Sequence, residues 1–322
     1  MLRRSIAGRL VRKLSRRLEA IALRLRYYPL KLRLKRAYEK RSGPGCAAAG
    51  PPEEADPEIA AMGRSLREKL LASYHLKYAQ SGYRILFQVP PGGLGTIWFA
   101  DLMETLTYTG IPCASVQWED ADFRQVWESF RPNVFISMDI ADVLRSLDLE
   151  FIAAYKRDNG CLRFFTPITK HRFPQEGMSG TDRWRLRLAG AGKSVDAYFS
   201  MFVEDFYGLF FREWQQAGLP YLSLPHGCNP LHHYPRPGAR VHDYFMATNF
   251  GPERVELTWR YLRPVFERHE GLWAGPEWGF GTGPLSSAQL PDYYARARIV
   301  PNPLARFLLH YPAEITERAF SA

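Results

Sequence analysis

The sequence predicts an α/β protein of two Rossmann-like, doubly wound units, the second incomplete, with a basic amphipathic helical arm in front. Three observations carry this reading. From residue 83 onward, short and nearly continuous apolar runs alternate with helical patterns, as buried parallel strands and their crossover helices do. A glycine-rich segment, "PPGGLG", directly follows the first such run, and the same rhythm restarts at residue 243 after a turn-rich stretch. The cationic excess, finally, is confined to the start: residues 1–41 hold fifteen Lys and Arg against two Glu, while the whole chain holds 43 basic against 33 acidic residues. The remainder is therefore slightly acidic, and the high overall charge describes one segment rather than the globular body.

Composition limits the class. Hydrophobic residues make up 46% and charged residues 24%, enough for a packed core and outside the range of disordered chains. No apolar run reaches the roughly 18 residues of a spanning helix, and the basic start leads into no continuous apolar signal-peptide core. The four cysteines, at 46, 113, 161 and 228, form no C-x-x-C pair. They are expected to be free thiols in a reducing, cytoplasmic setting.

The elements follow in order. Leu2, Ile6, Leu10, Leu14, Leu18, Ile21 and Leu25 recur at steps of three or four, giving a helix with one apolar stripe between cations. Such a helix suits an anionic membrane surface; a solvated arm, a helix docked on the body and an organelle presequence are the other readings. Pro29 is expected to interrupt it. Residues 42–57 read as a flexible linker and 58–80 as a short helix. "RILFQV" (84–89), "IPCASVQW" (111–118), "NVFISMD" (133–139), "LRFFTPI" (162–168), "DAYFSMF" (196–202) and "LPYLSLP" (219–225) read as strands. Helices are expected after the glycine loop, over 141–158 and over 203–217. Beyond residue 242, "DYFMATNFG" (243–251) is a strand and 252–268 a helix opened by Pro252. "GLWAG" and "RIVPN" are further strands, with a helix over 290–297 between them. The domain boundaries expected are an arm (1–41), a linker with a short helix (42–82), a first unit (83–225), a hinge (226–242) and a second unit (243–322).

"SLPHGCNPLHHYP" (223–235) places His226, Cys228, His232 and His233 within eight positions. Imidazole and thiolate are zinc ligands, but a structural site needs a second ligand pair, and the other histidines are scattered. No metal is expected. A cleft-facing His226 and a hydrogen-bonded structural His226 both stay open.

"VPPGGLGTIWFADLMETLTYTGIPCASV", "GLPYLSLPHGCNPLHHYP" and "FMATNFGPERVELTWRYLRPV" resemble, in this order, the opening, the hinge and the start of the donor-binding domain of GT-B glycosyltransferases. "YYARARIVPN" and "ERAFSA" resemble the next segments of that domain in the subgroup related to spore-coat maturation proteins (CgeB-like). The resemblance covers about residues 84–322. It implies transfer of a sugar from a nucleotide-sugar donor to an acceptor that is a glycan, a lipid or a protein, with no bound cofactor. It also implies closing elements beyond Ala322, so that the chain is C-terminally incomplete. Where the family pattern has an acid after the Phe near the end, this chain has Ser321. The alternative reading is a non-catalytic binding or scaffold protein that keeps a degenerate form of the fold. Nucleic-acid binding is disfavoured, because the basic arm lacks interleaved aromatics.

Glycosyl transfer needs charge or N–H groups for the leaving diphosphate and, if the reaction inverts, a base for the acceptor hydroxyl. Asn249, Phe250 and Gly251 precede a helix N-terminus, a natural phosphate site, with Arg254 on its first turn. Trp278, in the glycine-rich loop 275–284, is placed to stack on a base or sugar. Glu317 and Arg318 match the Glu/Arg that the resembled family places before its donor-sugar helix, which implies a donor-binding role. On the acceptor side stand Gly92, Gly93 and Gly95, and the base candidates are Asp139, His226 and Asp101.

Overall fold

The computed structural model describes residues 2–42, 53–54, 56–89, 94–117, 123–137, 148–167, 186, 195–200, 207–224, 227, 229–234, 236, 239–286 and 289–302. It is an α/β structure with two all-parallel sheets, compatible with Rossmann-like units. The chain divides into two compact units. A central unit gathers Ser65–Leu231, and a composite unit gathers Met1–Arg64 with His232–Pro312.

In the central unit, strands β2 (Ile85–Val89), β3 (Cys113–Gln117), β4 (Val134–Ile136), β5 (Arg163–Pro167), β6 (Ala197–Ser200) and β7 (Tyr221–Ser223) form one sheet in the order β3-β2-β4-β5-β6-β7. The apolar runs explain the burial: every residue of β2 and of β6 is buried. One face packs Ile85, Phe87 and Val89 with Leu102, Met103 and Leu106 of α3 (Leu94–Tyr108). The other stacks Leu86, Phe135 and Phe164 in one row under Trp127 of α4 (Phe123–Phe130) and Ile152 of α5 (Leu149–Asn159). Helix α5 is closed at both ends. The Asp148 carboxylate accepts from the Phe151 N–H at 3.0 Å, and Gly160 takes the left-handed conformation at the other end. That backbone bond, seconded by Arg124, holds the Asp148 carboxyl below the usual carboxylate range. The helix expected over 203–217 is two short ones, α6 (Tyr207–Phe210) and α7 (Arg212–Gln216). Helix α4 was not expected, although Phe123, Val126, Trp127 and Phe130 carry the helical spacing.

In the composite unit, β9 (His242–Ala247) is central in the parallel order β10-β9-β11, with β10 at Gly271–Ala274 and β11 at Ala297–Ile299. A two-stranded antiparallel pair joins β1 (Glu53–Glu54) to β8 (Ala239–Arg240). After β9 the chain runs through α8 (Pro252–Leu257), a π-helical turn (Thr258–Leu262) and α9 (Arg263–Arg268). Pro264 cannot donate to the turn before it, and the wide π turn immediately ahead absorbs the mismatch. The short helix α10 (Leu290–Ala295) precedes β11. The expected linker over 42–57 leads into α2 (Pro57–Tyr78).

The largest difference from expectation lies at the start. Helix α1 (Leu2–Ser42) is continuous through Pro29. Pro29 is exposed, so water can serve the carbonyl that its missing N–H leaves. Nor are residues 1–41 a separate arm. Leu34, Ala37 and Tyr38 are buried in the core of the composite unit beside Tyr244, Phe266, Trp273 and Trp278, with Tyr27 and Leu30 packed against them. Ser42 Oγ accepts from the Gly271 N–H at 2.9 Å and lies 3.2 Å from the Tyr244 hydroxyl. Burial pushes that phenol's pKa upward. Among the described residues, no helix is long and apolar enough to cross a membrane.

Candidate functional site

In open parallel sheets, ligands bind beyond the carboxyl ends of the strands, where successive crossovers leave in opposite directions. Each sheet has one such point. In the composite unit it is the end of β9, since β10 and β11 flank that strand on either side. There the chain forms the turn Thr248-Asn249-Phe250-Gly251 and enters α8. Gly251 is an extended N-cap with no side-chain capping bond, and Pro252 opens the helix. The first N–H groups of such a helix have no partner within it.

The turn is braced from behind. The Thr248 N–H donates to the Ala274 carbonyl at 3.0 Å, and the Thr248 carbonyl accepts from Trp278 Nε1 at 2.7 Å. Trp278 is wholly buried and meets the Phe250 ring edge to face, with centroids 5.3 Å apart. This corrects the expectation that Trp278 stacks on a base or sugar: it has no face free for a ligand and instead fixes the turn. Gly275 permits this closeness, because a Cβ there would lie 1.9 Å from the Thr248 oxygen and its φ is +141°. Arg254 reaches back over the turn, its Nη1 3.3 Å from Thr248 Oγ1 and 3.5 Å from the Asn249 carbonyl. Asn249 is exposed. Lys31 of α1 adds a second cation, 5.1 Å from the Phe250 ring centroid.

In the central unit the corresponding point lies between β2 and β4. The segments after these strands contain Gly92, Gly93 and Asp139, which lie outside the described residues, as do His226, Cys228, Glu317 and Arg318. Gly95 is in the first turn of α3. Asp101, also on α3, is half-buried, and its carbonyl accepts from Thr105 Oγ1 at 2.9 Å. Of the other loop histidines, His233 sets its ring 6.3 Å from that of Tyr294, and the His232 carbonyl accepts from Arg236 at 3.0 Å.

A scan against protein-family models finds no match to this chain, and no curated protein matches it. The geometry alone therefore speaks for the site.

Two features of the central unit escaped the sequence reading. The first is a polar row. The register that pairs Phe87 with Ile136 and Ile136 with Phe165 sets Gln88, Ser137 and Thr166 side by side, one step nearer the carboxyl ends. By the alternation of strands they share the face of Leu86, Phe135 and Phe164. All three are at most 1% exposed, and among the described residues Gln88 Oε1, Ser137 Oγ and Thr166 Oγ1 have no hydrogen-bond partner. The core thus changes from aromatic to polar toward the carboxyl ends of these strands.

The second feature is a cleft of about 610 Å³ along α3, lined by Val89, Met103, Glu104, Tyr108, Ser115 and Leu231 among others. Its walls are mainly apolar, with one carboxylate. Asn229 positions that carboxylate: its Nδ2 donates to Glu104 Oε2 at 2.9 Å, while its Oδ1 accepts from Thr105 Oγ1 and from the Leu231 N–H. Arg67 Nε donates to the Pro230 carbonyl at 2.6 Å. The segment 229–231 is thus pinned to the central unit by side chains from α2 and α3. Cys113 opens no thiol chemistry here, since burial pushes its pKa up to about 11.

Proposed function

We propose that this protein is a glycosyltransferase that moves a sugar from a nucleotide-sugar donor to an acceptor. The observation that carries the reading is the turn at the end of β9: a strand's carboxyl end at a switch point, an uncapped helix start, and Arg254 over the turn. A leaving nucleoside diphosphate needs this combination of unpaired N–H groups and a cation. Asn249 and Gly251 contribute backbone N–H groups and Arg254 the charge. The rigid bracing by Trp278 suits the role, since preorganised donors cost no rearrangement as charge develops. The acceptor belongs to the central unit, on the side of Gly92, Gly93 and Gly95. The acceptor base is one of Asp139, His226 and Asp101, or Glu104, which lines the described cleft. Two α/β units of this kind suit a GT-B transferase; the CgeB-like subgroup, and the donor role of Glu317 and Arg318, rest on the sequence resemblance. No bound cofactor or metal enters the reaction.

The test is calorimetric titration of the full chain with a panel of nucleoside diphosphates. One should bind, and Arg254→Ala should weaken it by roughly 1.5–3 kcal/mol, the worth of a charge-assisted hydrogen bond. Binding unaffected by Arg254→Ala would remove the donor site from this turn. Failure of every diphosphate to bind would favour the scaffold reading.

A further inference from the structure

Over its described side chains, helix α1 has two apolar faces: one packs into the core and the other is exposed. Tyr27, Leu30, Leu34, Ala37 and Tyr38 enter the core of the composite unit. Leu18, Ile21, Leu25, Tyr28 and Leu32 follow one another at steps of three and four on the opposite side. Their exposures are 65%, 53%, 69%, 52% and 37%. At about 100° per residue the two sets point about 180° apart. The second stripe runs for about 21 Å along the helix.

Charge indicates what covers this stripe. Lys35 flanks it on one edge and Arg36 continues its line toward Ser42, while Arg26 and Arg33 lie farther round, between the stripe and the docked face; Arg26, Arg33 and Arg36 are exposed. The acid nearest this end, Glu39, is paired with Lys35 at 3.6 Å. A second copy of the helix set against the stripe would bring cations against cations, whereas an anionic surface would neutralise them.

We propose that the Leu18–Leu32 face of α1 is a peripheral membrane-docking surface that lies in the headgroup region of anionic lipid. Its apolar stripe enters the acyl boundary and its cations meet the phosphates. The opposite face is part of a folded core, so the contact is not a flexible tether. It fixes the orientation of the composite unit at the bilayer, with Lys31 and Arg33 holding the helix through Glu277 and Trp259. The inference does not depend on the transferase reading.

The experiment is co-sedimentation of the full chain with vesicles of phosphatidylcholine containing about one-third phosphatidylserine, against phosphatidylcholine alone. The wild type should bind the anionic vesicles, and less well as salt rises. Leu25→Glu with Tyr28→Glu should lower partitioning at least about tenfold, since each buries a charge in the acyl boundary. Its thermal unfolding should be unchanged, because neither residue touches the core. A second variant, Arg26→Ser with Arg36→Ser, keeps the apolar stripe and should lose the preference for anionic vesicles. Wild-type binding that is absent, equal on neutral vesicles, or unmoved by the Glu pair overturns the proposal. So does a wild-type dimer that the Glu pair dissociates, which would make the face a contact between copies.

Discussion

The Lys31 ammonium lies 5.1 Å from the centroid of the Phe250 ring and donates to the Glu277 carbonyl at 2.6 Å. A residue of the first helix thus secures both the turn after β9 and the loop that carries Trp278. Lys31→Ala removes a cation–π contact of about 0.5–1 kcal/mol and a hydrogen bond of similar worth. We expect a loss of roughly 1–2 kcal/mol in chemical denaturation and faster amide exchange at Phe250. Lys31→Met, which keeps the stem, should recover part of the stability. Unchanged exchange in both variants would show that the turn stands without α1.

The polar row makes the opposite prediction. Ser137 Oγ and Thr166 Oγ1 are buried without partners among the described residues, and an orphaned polar atom costs about 1–3 kcal/mol. Thr166→Val keeps the shape and removes the orphan. It should raise stability by about 1 kcal/mol, and Ser137→Ala should do the same less cleanly because it leaves a small void. Urea denaturation measures both. A loss of stability on Thr166→Val would mean that the hydroxyl is satisfied, by water for example.

His242, at the start of β9, has its pKa lowered by burial first and by Arg296 second, with Asp243 opposing. The folded state therefore binds this proton less readily than the unfolded chain. Stability is accordingly full above the unfolded value near 6.5 and falls as pH drops through the depressed folded value. His242→Gln should flatten the slope of stability against pH below about 6.5. An unaltered slope would assign the pH dependence to other groups.

The strands themselves were legible because buried parallel strands are written as short apolar runs, and "ILFQV" and "AYFS" are buried at every position. What escaped depends on distant partners. Periodicity found the stripe through Leu18, Ile21 and Leu25, which is the exposed one; the docked residues Leu34 and Tyr38 are defined by Trp273 and Phe280, more than two hundred positions away. Trp278 in a glycine-rich loop read as a residue that stacks on a base or sugar, and only its bond to the Thr248 carbonyl reveals it as a brace. Gln88, Ser137 and Thr166 become a row only through strand register, which no local pattern contains. Asn229 was passed over beside four more conspicuous metal-ligating residues. A buried Asn two positions before a bonded N–H is nonetheless a recognisable turn-maker.

The bond between Ser42 and Gly271 spans 229 positions. At translation speeds of about 5–20 residues per second, the first helix leaves the ribosome roughly 10–50 s before its partner strand is made. The contiguous stretch Ser65–Leu231 can settle during that interval, whereas Leu34 and Tyr38 remain uncovered. The composite unit therefore closes by capturing a segment made long before its own strands. That sequence of events exposes the helix to chaperones, and to any nearby bilayer, before that unit is complete.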